Sequence, residues 1–499
     1  MPAIHCSARF SSALIWALVL SFGLAVTPAS AAESASSQGV VELVQLLSLR
    51  LRLQRLDIEE RRALEERLAR GERPARLYEE HMSRWLDRGF YRRLATSLVY
   101  VPAKSNLFVG KLTRVREGEG WVYFLPHTLP AGHPEKASPC PPNERVEVVP
   151  WWARGQRVSV CRESYRPENV FDDVGYCGGQ AEPTIPTPPR PGCGCGSLLL
   201  GCLPPEDESP RMDQRLMEAM TSEISETGAE LMAKGRSFDE LMTTSTTWQT
   251  GLTRFLYLRR EMLALVGSRP YSKALEARLL EMLTSVDLDA PGQWVERTGL
   301  YRGSGLFLNT PLTSTYVGTA RATMLLLLSQ FLCVDFPANN VDRDALLAIT
   351  HDQHAGVRFE VYSSPMRHQL ACSGCHAPMD YGAGFLVGLR PPLFGSVPTN
   401  KVVEGRLYMN GAEDLRGSGE GYGALAALVT RQPEFTQCAS ARLFTYFVGR
   451  PPHNTTEERQ LLAELAQAFD KSGRRVEVLI RSILLSKAQT EPLALNPSP

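Results

Sequence analysis

The chain has no surplus of charge of either sign: its 499 residues carry 54 Lys+Arg and 54 Asp+Glu. Without a basic excess there is no long-range field to hold a nucleic acid or an anionic membrane, and neither is expected as a partner. Histidine is sparse. Of nine in the chain, none lies between His133 and His351, so the cysteine-rich stretch in that interval has no imidazole of its own for a mixed Cys/His metal site. After the N-terminus no apolar run reaches the ~20 residues of a membrane span. The longest, "ATMLLLLSQFLCV" at 322–334, reads as a core helix. No short-period internal repeat is present, which excludes a solenoid.

What the chain does have begins with an address. His5 and Arg9 precede the apolar "SALIWALVLSFGLAV", and small residues at Ala29 and Ala31 follow it. This is the pattern of a cleaved secretory signal over residues 1–31, and the run is short for an uncleaved anchor. The chain is therefore expected to be exported, to the periplasm or cell surface of a Gram-negative-type bacterium, with no transmembrane span after cleavage. Cys6 leaves with the signal, and the ten cysteines that remain, of 11, enter an oxidising compartment where thiols pair.

Length predicts two to four domains at ~100–200 residues each. Over 40–100 the leucines of "VVELVQLLSLRLRLQRLDIEERRALEERLAR" recur three and four apart, predicting an amphipathic helix or helix pair. Gly71 and Pro74 break it before a second helical run, on which His81 and Trp85 share a face as packing residues. Over 101–211 the period changes. "LTRVREGEGWVYFLP" and "ERVEVVPWWARGQRVSVC" each read as a hairpin, with Trp121, Trp151 and Trp152 as core residues or, alternatively, a carbohydrate-binding surface. Cys140, Cys161, Cys177, Cys193, Cys195 and Cys202 fall in this insert and fit up to three disulfides. Residues 212–335 read as helical again, with Ser237 and Glu240 as a capping box opening a run that continues through "TRFLYLRREMLALV". A linker, "VDFPANNVD", then leads into a last domain at 336–490. The expected fold class is mainly α: a helical scaffold, a Cys-rich β-hairpin insert and a C-terminal helical domain.

The chemistry concentrates in "HQLACSGCHAPMD", residues 368–380. On a helix, Cys372, Cys375 and His376 lie at i, i+3 and i+4 and share one face. Two thiols can then add to the vinyl groups of one porphyrin while the imidazole binds its iron, which makes C-x-x-C-H a signal for one covalent haem c. A zinc corner completed by His368, a thioredoxin-like pair and a plain disulfide remain as alternatives; the redox pair wants a βαβ setting that these Gly/Pro-rich flanks do not provide. For the sixth iron ligand Met409, 33 residues after His376, is the candidate, with His351, His354, Met366 and His368 as others.

The C-terminal third resembles exported multi-domain proteins first catalogued in planctomycetes, which join domains of unknown function to a cytochrome-c-like C-x-x-C-H domain. The residues that carry the resemblance are "CSGCHAPMDYGAGF", "CASARLFTYFVGR" from Cys438 to Arg450, "VLIRSILLSKA", and upstream "RTGLYRGSGLFLNTPLTSTYVGTARATMLLLLSQFLC" and "RSFDELMTTSTTW", together about residues 235–488. The chain departs from the pattern at Tyr381, where proline is usual, by one extra residue before Gly384-Phe385, and in "GLRPP". The resemblance implies a cytochrome-c-like helical fold, export, haem c and a disulfide between Cys333 and Cys438. It implies no substrate.

Three functional classes follow: a mono-haem electron carrier serving an unidentified redox partner protein, a haem-dependent oxidoreductase, and a surface binding or structural protein with a vestigial haem domain. The first is the expected one.

Overall fold

The computed structural model of the chain describes residues 37–99, 108, 110–126, 139–166, 194–268, 271–298, 302–303, 305–308, 320–334, 377–386, 404–409 and 413–486. The expected signal segment 1–31, the expected linker from Asp335, Cys177, Cys193, and Cys372, Cys375 and His376 lie outside them. The protein is mainly α. In chain order come helices α1 (Ser37–Arg52), α2 (Ile58–Ala69), α3 (Pro74–Trp85) and α4 (Arg88–Val99). Six strands follow: β1 (Gly110–Lys111), β2 (Thr113–Glu117), β3 (Gly120–Phe124), β4 (Arg145–Val148), β5 (Val158–Cys161) and β6 (Cys202–Leu203). Then come α5 (Met212–Ala233), β7 (Thr246–Gln249), α6 (Gly251–Ser268), α7 (Lys273–Thr284), β8 (Gln293–Glu296) and α8 (Ala320–Phe331). The C-terminal part holds β9 (Glu404–Tyr408), β10 (Leu415–Glu420), α9 (Gly421–Thr430), α10 (Pro433–Val448), α11 (Thr456–Lys471) and α12 (Val476–Leu484).

The chain divides into two compact units. One lies within Met1–Asp87, Arg442–Asn454 and Leu479–Pro499, so the N-terminal helices share a unit with two pieces of the C-terminal tail. The leucine-rich run is a helix pair: Leu53 turns to φ 60°, and Asp57 restarts the chain. Its carboxylate accepts from the Glu60 N–H at 2.7 Å while Glu60 accepts from the Asp57 N–H at 3.2 Å, a capping box the sequence reading did not single out. His81 and Trp85 do share a face, with ring centroids 4.8 Å apart. Burial, with Arg84 beside it, pushes His81 down to about 4, so the ring is neutral at physiological pH and acts in packing. The tail is tied in by main-chain acceptors: Tyr78 donates to the Leu484 carbonyl at 3.2 Å and Arg50 to the Val448 carbonyl at 3.1 Å.

The second unit comprises Arg88–Ala441 and Thr455–Val478. Both expected hairpins are present, β2–β3 and β4–β5, joined into one sheet of order β2-β3-β5-β4 through a parallel β3–β5 pair. Two disulfides brace this insert, Cys140–Cys161 and Cys195–Cys202. Trp151 is a core residue: it stacks on Phe255 of α6 at 4.3 Å and donates from Nε1 to the Cys202 carbonyl at 2.9 Å. Trp121 is not. It stands 40% exposed, with the Arg114 guanidinium 4.3 Å over its ring.

The helical run expected from Ser237 onward is corrected. Glu240–Thr243 is a single turn, Thr246–Gln249 is a strand, and the helix starts only at Gly251. Ser237 does not cap Glu240; its Oγ accepts from the Asp239 N–H at 3.4 Å, while the Glu240 carboxylate pairs with Arg236 at 2.6 Å. The cause lies in "TTSTT". Thr244 Oγ1 donates to the Thr246 carbonyl and accepts from its N–H, at 3.1 and 3.2 Å, which competes with helix bonding. The β-branched residues then pair with β8, bringing Trp248 opposite Trp294.

Candidate functional site

The residues directly after His376 are described, and they are buried. Residues 377–382 are helical and continue into a 3-10 turn, Ala383–Leu386. Ala377, Asp380, Phe385 and Leu386 are each 3% exposed or less. This short segment is walled by the β9–β10 hairpin, by α9 and by α8.

Glycines set how close the walls stand. A Cβ at Gly405 of β9 would lie 2.3 Å from the Phe385 ring, and one at Gly382 would lie 2.5 Å from the end of Met324 on α8. Only a bare backbone admits those contacts. Tyr381 packs on Tyr408 with ring centroids 5.0 Å apart, so the last residue of β9 touches the segment that follows the C-x-x-C-H run. Met409 is the next residue. It is 3% exposed, and its N–H donates to the Asp414 carbonyl at 3.3 Å, closing the turn toward β10.

Of the four residues singled out from the sequence, Met409 is the described one: it is buried and follows Tyr408, whose ring packs on Tyr381. Cys372, Cys375 and His376 lie outside the described residues, as do the alternative ligands His351, His354, Met366 and His368. Among the described residues no cluster of His, Cys, Asp and Glu could hold a metal ion. Behind the cluster, Cys333 at the end of α8 is bonded to Cys438 on α10, the pairing the resemblance implied.

A polar cluster that the sequence reading missed lies deeper in this unit. Glu223 of α5 is fully buried, and Arg297, just after β8, is 4% exposed. Arg297 donates to the Glu223 carboxylate at 2.5 Å, to the Tyr257 hydroxyl at 2.6 Å and to the Gly305 carbonyl at 2.6 Å. Tyr257 in turn donates to Glu223 at 3.0 Å. Gly305 has φ +54°, and a Cβ there would meet the Leu241 carbonyl at 2.2 Å, so glycine is required where the backbone turns to Arg297. A signal did exist. Glu223 and Thr227 fall on the helix stripe of Leu216, Met220 and Ile224, where an unpaired carboxylate would not be tolerated.

With that geometry in place, comparison with known families gives one match: residues 417–488 match the model of a family described as a protein of unknown function (DUF1585). That family is associated with cytochrome c-like domains. The matched stretch runs from β10 through α12 and includes Cys438. No curated protein and no solved structure matches the chain. No helix of the described residues is long and apolar enough to cross a membrane. The three disulfides among the described residues are consistent with an exported protein.

Proposed function

We propose that the protein is an exported c-type haem protein that passes single electrons through one covalently bound haem. The observation that carries the reading is the run Cys372-Ser-Gly-Cys375-His376, standing directly before a buried segment whose Tyr381 packs on Tyr408, the chain neighbour of the buried Met409. The donor set suits the group: two thiols for the vinyl carbons, an imidazole for the iron, and a buried thioether, a soft ligand that raises the potential of a haem iron. When bound, the haem would supply reversible one-electron chemistry at iron. The chain's own part is to hold that group and exclude water from it. Phe385, Tyr381, Tyr408 and Leu386 present the apolar and aromatic surface for this, and the Cys333–Cys438 disulfide ties α8 to α10 behind them. The physiological partner is proposed to be another redox protein.

The test is a haem stain on a denaturing gel, with a pyridine haemochrome spectrum, of protein exported by a host with c-type maturation. The wild type is expected to keep its stain, and Cys375→Ala to lose most of it. An unstained wild type would end the haem reading and leave a disulfide-braced surface protein. Met409→Ala is expected to retain haem, to bind cyanide more readily and to have a lower midpoint potential, by on the order of 100 mV within the ~0.8 V that axial ligands command. An unchanged potential and spectrum would move the sixth ligand to one of His351, His354, Met366 or His368.

A further inference from the structure

Arg114, Arg116, Trp121 and Tyr123 share one face of the β2–β3 hairpin. The register sets Arg114 opposite Tyr123 and Arg116 opposite Trp121, and the pleat puts directly opposed residues on the same side. The Arg114 guanidinium accordingly lies over the Trp121 ring at 4.3 Å and 5.9 Å from the Tyr123 ring. One end of this strip is filled by the chain's own acidic run after β6. Lys111 pairs with Glu206, Arg114 with Asp207 at 3.0 Å, and the Tyr123 hydroxyl donates to Glu208 at 2.8 Å. The pairing stops there. Arg116 is exposed and has no carboxylate partner among the described residues, and the Trp121 opposite it is exposed as well. The hairpin's own acids do not supply a partner: Glu117 is held by Arg145 at 2.7 Å, and Glu119, in the turn, pairs with neither strip arginine among the described residues.

An exposed tryptophan beside an unpaired guanidinium, at the end of a strip whose other cations hold carboxylates, is complementary to one more carboxylate with an apolar group next to it. Trp and Arg are also the residues that most often dominate contacts between proteins. The filled part of the strip is filled by peptide, and β2 is an outer strand of its sheet, a place along which an extended peptide can lie. We infer that the Arg116–Trp121 end of the strip docks an acidic, extended segment of a partner protein, with a carboxylate on Arg116 and an apolar side chain on the Trp121 ring. The run Glu206–Glu208 then competes from within the chain for the neighbouring positions, since it neutralises Lys111 and Arg114. The inference stands apart from the haem reading, because every residue in it belongs to the β insert.

The probe is a rhodamine-labelled peptide of alternating glutamate and leucine, with a glutamine-for-glutamate version as control. Each is titrated by fluorescence anisotropy against the full chain at about 10 mM salt, where the screening length is ~30 Å. The acidic peptide is expected to bind about tenfold more tightly than the control, and to lose that advantage at about 1 M salt. Trp121→Ala is expected to weaken the acidic peptide about tenfold, as loss of an aromatic anchor does, and Arg116→Gln about threefold, the worth of one exposed ion pair. Asp207→Asn removes a carboxylate from Arg114 and is expected to tighten binding about twofold, a direction that loss of structure does not produce. Binding that neither Trp121→Ala nor Arg116→Gln weakens, or no binding at low salt, overturns the inference. An oligogalacturonate that binds through Arg116 and Trp121 while the peptide does not overturns it too, and assigns the strip to an acidic polysaccharide. Haem-free and haem-loaded preparations are expected to bind the peptide alike, so a failed haem stain leaves this result standing.

Discussion

Arg297→Met is expected to destabilise the second unit by about 3–5 kcal/mol, because it leaves the Glu223 carboxylate buried without its cation. The pair is almost wholly out of water, with side chains 2% and 0% exposed and 2.5 Å between them. Such a pair gains strongly from mutual attraction and loses comparably from desolvation, so its presence says little about net stability. Losing one member is another matter, since among the described residues the remaining charge keeps the Tyr257 hydroxyl alone as a hydrogen-bond donor. The Arg297 side chain also donates to the Gly305 carbonyl at 2.6 Å, so the 305–308 turn loses that bond as well. The double variant Glu223→Leu with Arg297→Met removes both charges and is expected to recover most of the loss. Urea unfolding of the three proteins, read by circular dichroism, checks this. A single variant within about 1 kcal/mol of wild type, or a double variant no better than the single, would show that the pair does not carry the stability assigned to it.

Removal of the Cys333–Cys438 disulfide, with both cysteines changed to serine, is the other large effect. The two residues are 105 apart in sequence, and the closed loop contains Cys372, Cys375, His376 and Met409. Loop-closure entropy assigns about 4.8 kcal/mol to a cross-link of that span and about 2.4 kcal/mol to one the size of Cys195–Cys202. Measured values usually fall short of the entropic figure, and a loss of about 2–4 kcal/mol is expected. The double serine variant should also attach less haem, because the stretch of chain that carries the motif is then no longer closed into a loop. Denaturant midpoints and the stain-to-protein ratio measure the two effects. A loss below 1 kcal/mol, with haem content unchanged, would leave the disulfide without the restraining role assigned to it.

Local periodicity was the most legible level of the chain. β-Branched and aromatic residues on either side of the Gly-containing stretch in "LTRVREGEGWVYFLP" marked the β2–β3 hairpin, and leucines three and four apart marked α1, because each pattern needs only neighbours within a few residues. The stretch after Ser237 shows the limit. A capping-box spacing was present, yet Thr243–Thr247 followed it, and a cross-strand partner about 50 residues on, Trp294 opposite Trp248, made strand the better outcome. At the candidate site, the C-x-x-C-H run and Met409 were readable because the chemistry demands those residue types. Glu223, Arg297 and Tyr257 were not, because their spacing follows no motif and their partnership is made by three separate segments.

Sequence by itself determined the mainly α class, the two insert hairpins, the placing of cysteines in a loop-rich insert and the haem-type motif at Cys372–His376. Each is a matter of composition or short-range spacing. The pairings were decided only by tertiary structure. Six insert cysteines admit 15 connectivities; Cys140–Cys161 forms where β4–β5 pairing sets Arg145 opposite Cys161 with its side chain on the Cys140 carbonyl, and Cys195–Cys202 where the Gly201 N–H closes a turn onto the Cys195 carbonyl at 2.7 Å. In the same way Arg297 reaches Glu223 only when α5 and the segment after β8 meet. The energy of a buried polar group depends on the atoms packed around it, and the linear sequence does not contain that arrangement.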